Sequence, residues 1–276
     1  MRWPENYSGA TSDQHLIELW LSGRSEHTQR YYRRTAEEFL VFVGKPLQEV
    51  MVADAVRWVE RLSGKPGTVA CYMAASKSLF SYAHKTGYTV FNVGLPLRCP
   101  RVPDKLHERI VDEDAVQDMV QAATNKRDHA MVRFLYASGA RNSELCGLRW
   151  IDLKGCRATL HGKGGKTRTV LLPKPVADEI LGLRPIKAQD HDPIFWTRRG
   201  NPMNPAALRF IVAQVAEEAV QEMSPHWFRH AHASHALDRG APIHLVKEGL
   251  GHANVATTSR YLHARPNEGA SQFLNV

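Results

Sequence analysis

Between Gly94 and Asp104 the chain reads GLPLRCPRVPD, eleven residues that hold three prolines and two arginines. Proline fixes φ and removes a backbone donor, so neither a helix nor a central strand runs through such a stretch. The 276-residue chain is therefore expected to fold as two parts joined by an extended linker, placed at 96–104, with an N-terminal domain at 1–95 and a second at 105–276.

The N-terminal part carries helical periodicity throughout. Apolar Leu16, Ile17, Leu19, Trp20 and Leu21 cluster in the segment from Asp13. Ser25 is placed to cap a long helix to Val43, with Tyr32, Ala36, Phe39, Leu40 and Val43 on one stripe and Gly44 as its stop. Further helices are expected from about Ala53 to Leu62 and from about Thr68 to Lys85. Four helices with short links make a small bundle.

Beyond the prolines the pattern stays mainly helical, at Asp112–Ala123, Asp128–Ser138, Ser143–Leu148, Pro205–Glu222, His226–Arg239 and Pro242–Leu250. One interruption is strand-like. Arg157–His161 and Thr167–Leu172 flank Gly162-Lys163-Gly164-Gly165, which predicts a hairpin with a basic tip. The expected fold class is mainly α: a four-helix N-terminal domain and an α-rich second domain with a small β-hairpin.

Composition narrows the partners. The formal net charge is +8, which favours an acidic partner, nucleic acid above all. Cys71, Cys99, Cys146 and Cys156 form no C-x-x-C pair, and no run of 18 apolar residues or signal peptide stands in the sequence. The expectation is a cytoplasmic protein with free thiols and no membrane role.

The chemistry lies in the second part. Arg141 follows the small residues Ala137-Ser138-Gly139-Ala140, Lys163 sits on the hairpin tip, and His226 and Arg229 share a helix face. His252 follows Gly251, and Tyr261 comes nine positions later. Two arginines, a lysine, two histidines and a tyrosine suit a phosphate undergoing substitution, and no carboxylate cluster for Mg²⁺ accompanies them. Zinc is a competing reading of His226, His230, His232 and His235. Without a Cys or Glu box beside them, no metal and no cofactor are expected, and His230 and His232 are read as structural histidines.

In this order the segments resemble the signatures of the tyrosine recombinases, the phage integrases and Xer-type enzymes. Ala137-Ser138-Gly139-Ala140-Arg141-Asn142-Ser143-Glu144-Leu145 is similar to their first signature, and Gly162-Lys163-Gly164-Gly165-Lys166-Thr167-Arg168 to their catalytic hairpin. His226-Trp227-Phe228-Arg229-His230 is similar to their H-x-x-R box. Leu250-Gly251-His252-Ala253 with Arg260-Tyr261-Leu262-His263 is similar to their last box. Two positions depart from the family pattern: Asn142 stands where an apolar residue is usual, and Trp227-Phe228 is a bulkier pair.

The resemblance implies a site-specific recombinase in which Tyr261 forms a 3′-phosphotyrosyl bond and His226 accepts the phenol proton. Arg141, Arg229 and His252 would hold the phosphate oxygens, Glu144 would support Arg141, and Lys163 would protonate the leaving 5′ oxygen, with Lys166 a rival for that role. It implies a core-binding N-terminal domain, with the two domains forming a C-shaped clamp on double-stranded DNA, and strand exchange through a Holliday junction without ATP or metal. The assembly on DNA would be a homo-tetramer that exchanges C-terminal tails through Phe273 and Leu274, with accessory proteins open as further partners. Arg30, Arg33, Arg34, Lys166 and Arg168 are expected to meet DNA; a solvated charged face is the competing reading of the first three. A type IB topoisomerase, a non-catalytic DNA-binding regulator and, within the class, an integrase with an added arm-binding domain compete with the recombinase reading.

Overall fold

The computed structural model describes residues 6–100, 102, 110–252 and 254–262. By contacts the chain divides into Met1–Pro103 and Asp104–Val276. Leu97, inside the expected linker, is buried in the core of the first unit, and Lys77 Nζ donates to its carbonyl at 2.6 Å.

The first unit is four helices: α1 (Asp13–Leu21), α2 (Glu26–Val43), α3 (Val52–Arg61) and α4 (Pro66–Lys85). Their apolar stripes meet in one core in which Phe39 packs edge-on against both Trp58 and Phe80. Each such side chain contributes about 1.5–3 kcal/mol by leaving water. Asp13 locks the connections to this core: its carboxylate accepts from Tyr88 Oη at 2.8 Å and from the Leu47 amide at 3.0 Å. Two details differ from the sequence reading. Ser25 stands at the N-cap of α2, but its hydroxyl pairs with Thr28 Oγ1 instead of capping the backbone. The fourth helix begins at Pro66, because the first helical turn has no use for the amide that proline lacks.

The second unit contains α5 (Glu113–Ala122), α6 (Lys126–Ser138) and α7 (Asn142–Cys146), then β1 (Leu153–Lys154), β2 (Arg157–His161) and β3 (Thr167–Leu171). It continues with α8 (Lys174–Leu181), α9 (Pro205–Glu218), α10 (Pro225–Asp238), α11 (Ile243–Leu250) and α12 (Val255–Leu262). The three strands are antiparallel in the order β1-β2-β3, with Leu160 opposite Arg168 and His161 opposite Thr167. Ala158, Leu160 and Val170 turn inward to a core that includes Phe134, Phe195 and Phe228. At the hairpin tip the Gly162 amide donates to the Lys166 carbonyl at 2.7 Å, and Gly164 and Gly165 adopt φ of 75° and 72°. That backbone conformation is costly for any residue with a Cβ.

The fold is mainly α with one small sheet, as expected. The strand β1 and the helices α8 and α12 have no counterpart in the sequence reading, and α9 stops at Glu218, four residues early. There Val220 takes φ of 54° and the Gln221 amide folds back onto the Ala216 carbonyl at 2.8 Å, closing the helix. Among the described residues no helix is long and apolar enough to cross a membrane.

α10 is the axis of the second unit. It packs against α6, α11 and α12, and it buries Arg229, His230, Ser234 and His235 beside Phe228, Ala231 and Ala233. Polar side chains in such a position need partners, and those of Arg229 and His230 define the site.

Candidate active site

Arg229 is 2% exposed. Its guanidinium bridges two helix C-termini, with Nη1 donating to the Gly139 carbonyl at 2.7 Å and Nη2 to the Leu250 carbonyl at 2.6 Å. Gly139 is the left-handed cap of α6 and Leu250 is the last residue of α11, so the cation sits on two converging negative dipole ends. Burial, then the nearby cations Arg141 and Arg168, bring Arg229 down to about 10. It stays charged at neutral pH.

Arg141 comes to the same place from another direction. It is the N-cap of α7, and Glu144 closes on it twice: Oε2 accepts from the Arg141 amide at 2.7 Å and Oε1 from its Nη1 at 2.8 Å. Arg141 Nη2 reaches the Gly251 carbonyl at 3.3 Å. Two guanidinium groups from distant segments thus meet on the consecutive carbonyls of Leu250 and Gly251. Arg229 is buried, whereas the Arg141 side chain remains 38% exposed.

Glu144 has a second cation. Arg168, on β3, donates to its two oxygens at 2.6 and 2.8 Å and to the Gly249 carbonyl at 2.7 Å. Burial alone raises the Glu144 carboxyl, but hydrogen bonds from Arg168 and from the Arg141 amide and guanidinium prevail and hold it at about 2. Arg168, expected on DNA, is therefore committed to protein groups, its side chain only 12% exposed. It braces the hairpin against α7 and α11.

His252 follows the left-handed Gly251, and its Nδ1 pairs with Thr258 Oγ1 of α12 at 2.9 Å. Burial, then the cations Arg229, Arg141 and Arg168, depress it to about 4. At neutral pH it is an uncharged hydrogen-bonding group among arginines. On α10, His226 is exposed on the first turn, with its ring edge-on to His230 at 4.6 Å between centroids.

Tyr261, on α12, is 4% exposed and packs beside Leu237, Val246 and Leu250. Its hydroxyl lies 2.8 Å from His230 Nδ1. His230, read as structural from the sequence, is thus in hydrogen-bonding contact with the phenol. The available signal was its spacing four residues after His226, which puts both on one helix face.

The structure gathers Arg141, Glu144, Arg229, His252 and Tyr261, with His226 alongside through His230. The backbone of Lys163 lies at the hairpin tip and Lys166 is exposed at its end. His232 and His235 turn elsewhere: His232 Nδ1 pairs with the Tyr136 carbonyl, and His235 pairs with Tyr136 Oη and the Val111 carbonyl. Of the two departures from the family pattern, Phe228 is fully buried in the core. Asn142 Oδ1 is buried without a hydrogen-bond partner among the described residues. In the first unit Arg30 is exposed, Arg33 pairs with Glu18 and Arg34 with Glu38 at 2.7 Å. Exposed pairs of this kind are worth about 0–1 kcal/mol. Phe273 and Leu274 lie outside the described residues.

Residues 109–268 match the model of the phage integrase family. The tyrosine recombinase XerC of Thermodesulfovibrio yellowstonii is 31% identical over 262 residues, spanning 87% of each chain. The tyrosine recombinase XerA of Pyrococcus furiosus is 31% identical over 250 residues, spanning 88% of this chain and 85% of its own. A lambda integrase tetramer bound to a Holliday junction shares the fold, with a TM-score of 0.76 at 14% identity, over 96% of this chain and 81% of that one.

Proposed function

Because this chain belongs to the phage integrase family of tyrosine recombinases, we propose that it cuts and rejoins DNA through a covalent bond between Tyr261 and a backbone phosphate. The observation that supports this most strongly is the meeting of Arg141 and Arg229 on the carbonyls of Gly251 and Leu250, next to His252 and under the helix that carries Tyr261.

In this reading the two guanidinium groups bind the non-bridging oxygens, where negative charge grows as phosphorus becomes pentacoordinate. His252, uncharged at neutral pH, donates a further hydrogen bond. The Tyr261 oxygen forms the new bond to phosphorus while the bond to the 5′ oxygen breaks, and Lys163 protonates that oxygen. The phenol proton passes to the histidines on the first turns of α10, of which His226 is the exposed member. Glu144 and Arg168 hold Arg141 in place. The phosphotyrosyl bond retains the energy of the phosphodiester, so rejoining draws on no nucleotide hydrolysis.

Recombination of two duplexes requires four strand cuts. We therefore assign the working assembly as a homo-tetramer on DNA, passing through a Holliday junction, with Phe273 and Leu274 of each tail docking on a neighbour. The N-terminal helices, with Arg30, Arg33 and Arg34, provide the second DNA surface. Covalent capture on a random-sequence pool of nicked duplexes tests the chemistry. Denaturant-resistant adducts are expected with the wild type and not with Tyr261→Phe; adducts with both would move the nucleophile elsewhere.

A further inference from the structure

The geometry points to His230 as the residue that holds the nucleophile and first receives its proton. Three observations carry this. His230 Nδ1 lies 2.8 Å from Tyr261 Oη, within hydrogen-bond reach of a general base. The two rings pack together with centroids 5.7 Å apart, and His230 and Tyr261 are only 8% and 4% exposed. His226, the other histidine on this face, packs edge-on against His230 and is exposed, a position suited to the phosphate and to solvent.

With the ring proton on Nε2, His230 Nδ1 accepts the phenol O–H. When Tyr261 attacks, the Oη–P bond forms and the P–O5′ bond breaks. The phenol proton moves to His230 Nδ1, and the 5′ oxygen takes a proton from Lys163. On rejoining each proton returns. His226 thus becomes the second member of the pair and exchanges protons with the surroundings. The arrangement also helps to accommodate a buried polar ring in the middle of α10, because one of its nitrogens meets the nucleophile itself.

This inference rests on Tyr261 as the nucleophile, and the test separates the two claims. The rate of adduct formation on the nicked-duplex pool is measured for the full chain, for His230→Asn and for His226→Asn. Each is made with tyrosine and with a fluorinated tyrosine at position 261, whose phenol ionises more readily. Asparagine keeps a hydrogen-bonding atom near the Nδ1 position but cannot take a proton. We expect His230→Asn to slow adduct formation on the order of 10²-fold and the fluorinated phenol to recover at least about tenfold of it, whereas His226→Asn gains nothing from it. A merely structural role for His230 would be met by asparagine, or its loss would be left uncorrected by the fluorinated phenol; either result overturns the inference. Recovery in His226→Asn instead would assign the proton to His226. That arm decides the matter alone if His230→Asn proves too unstable to assay. A wild type that forms no Tyr261-dependent adduct removes the underlying reading and this inference together.

Discussion

Arg168 and Glu144 form a two-pronged pair, guanidinium nitrogens 2.6 and 2.8 Å from the carboxylate oxygens, with the glutamate side chain completely buried. The pair ties a strand of the hairpin to the short helix that positions Arg141. Removing one member of a buried pair leaves an uncompensated charge, which costs more than the intact pair contributes. Arg168→Ala should destabilise the chain by about 3 kcal/mol in urea unfolding and slow adduct formation. A loss below about 1 kcal/mol, the range of surface pairs, would show that the carboxylate is not held as described.

Acid should weaken the second unit in two steps. His252 ionises near 4 in the fold and near 6.5 otherwise, so the native state binds that proton more weakly than the unfolded chain. Stability therefore falls as pH drops from 6.5 to 4 and is then flat for this group. His232 is lowered in the same direction, chiefly by burial, and adds to that step. Glu144 falls from 4.5 to about 2; its contribution, about 3 kcal/mol, is complete above pH 4.5 and is lost on the way to 2. Melting temperatures between pH 7 and 2 should show both steps, and His252→Asn should shrink the upper one. An unchanged upper step in that variant would contradict the environment assigned to His252.

Gly139 and Gly164 both adopt left-handed backbone, with φ of 58° and 75°, but their surroundings differ. A Cβ at Gly139 would lie 2.8 Å from both the His232 ring and a Leu250 methyl, whereas nothing stands within 4 Å of one at Gly164. Gly164→Ala should cost about 1–2 kcal/mol, the left-handed penalty alone. Gly139→Ala should cost a further 1–3 kcal/mol from overpacking and should also shift the carbonyl that holds Arg229. Equal melting temperatures for the two variants would refute the close approach at Gly139.

Arg229→Lys preserves the charge and removes the fork. One ammonium cannot span the Gly139 and Leu250 carbonyls and still face a phosphate. Adduct formation should fall at least about 10²-fold, the scale of losing one oxyanion donor, with a lower melting temperature. Activity near that of the wild type would mean that the buried arginine is structural only.

Much of this arrangement was legible in the sequence, and what escaped did so for identifiable reasons. The four N-terminal helices, the hairpin and α10 follow from periodicity and punctuation, and the ordered motifs brought out Arg141, Arg229, His252 and Tyr261. The helix α8 was hidden by Pro175 in its first turn, and β1 is only two residues long. In α12 the run Ala256-Thr257-Thr258-Ser259 carries little apolar signal. Two of its described side chains are held by tertiary partners, Thr258 by His252 and Tyr261 by His230. His230 looked like one more histidine on a histidine-rich helix, because only folding brings position 261 to it. Arg168 looked like a DNA contact because its charge is visible in the sequence and its partner, 24 residues earlier, is not.

The central claim is that Tyr261 attacks the phosphate and leaves a 5′-hydroxyl. It is tested most directly by trimming the captured adduct with nuclease and mapping the modified peptide by mass spectrometry. A nucleotide joined through its 3′-phosphate to Tyr261, with a free 5′-hydroxyl on the released strand, is the predicted result. A nucleotide on any other residue, or one joined through a 5′-phosphate, would contradict the mechanism.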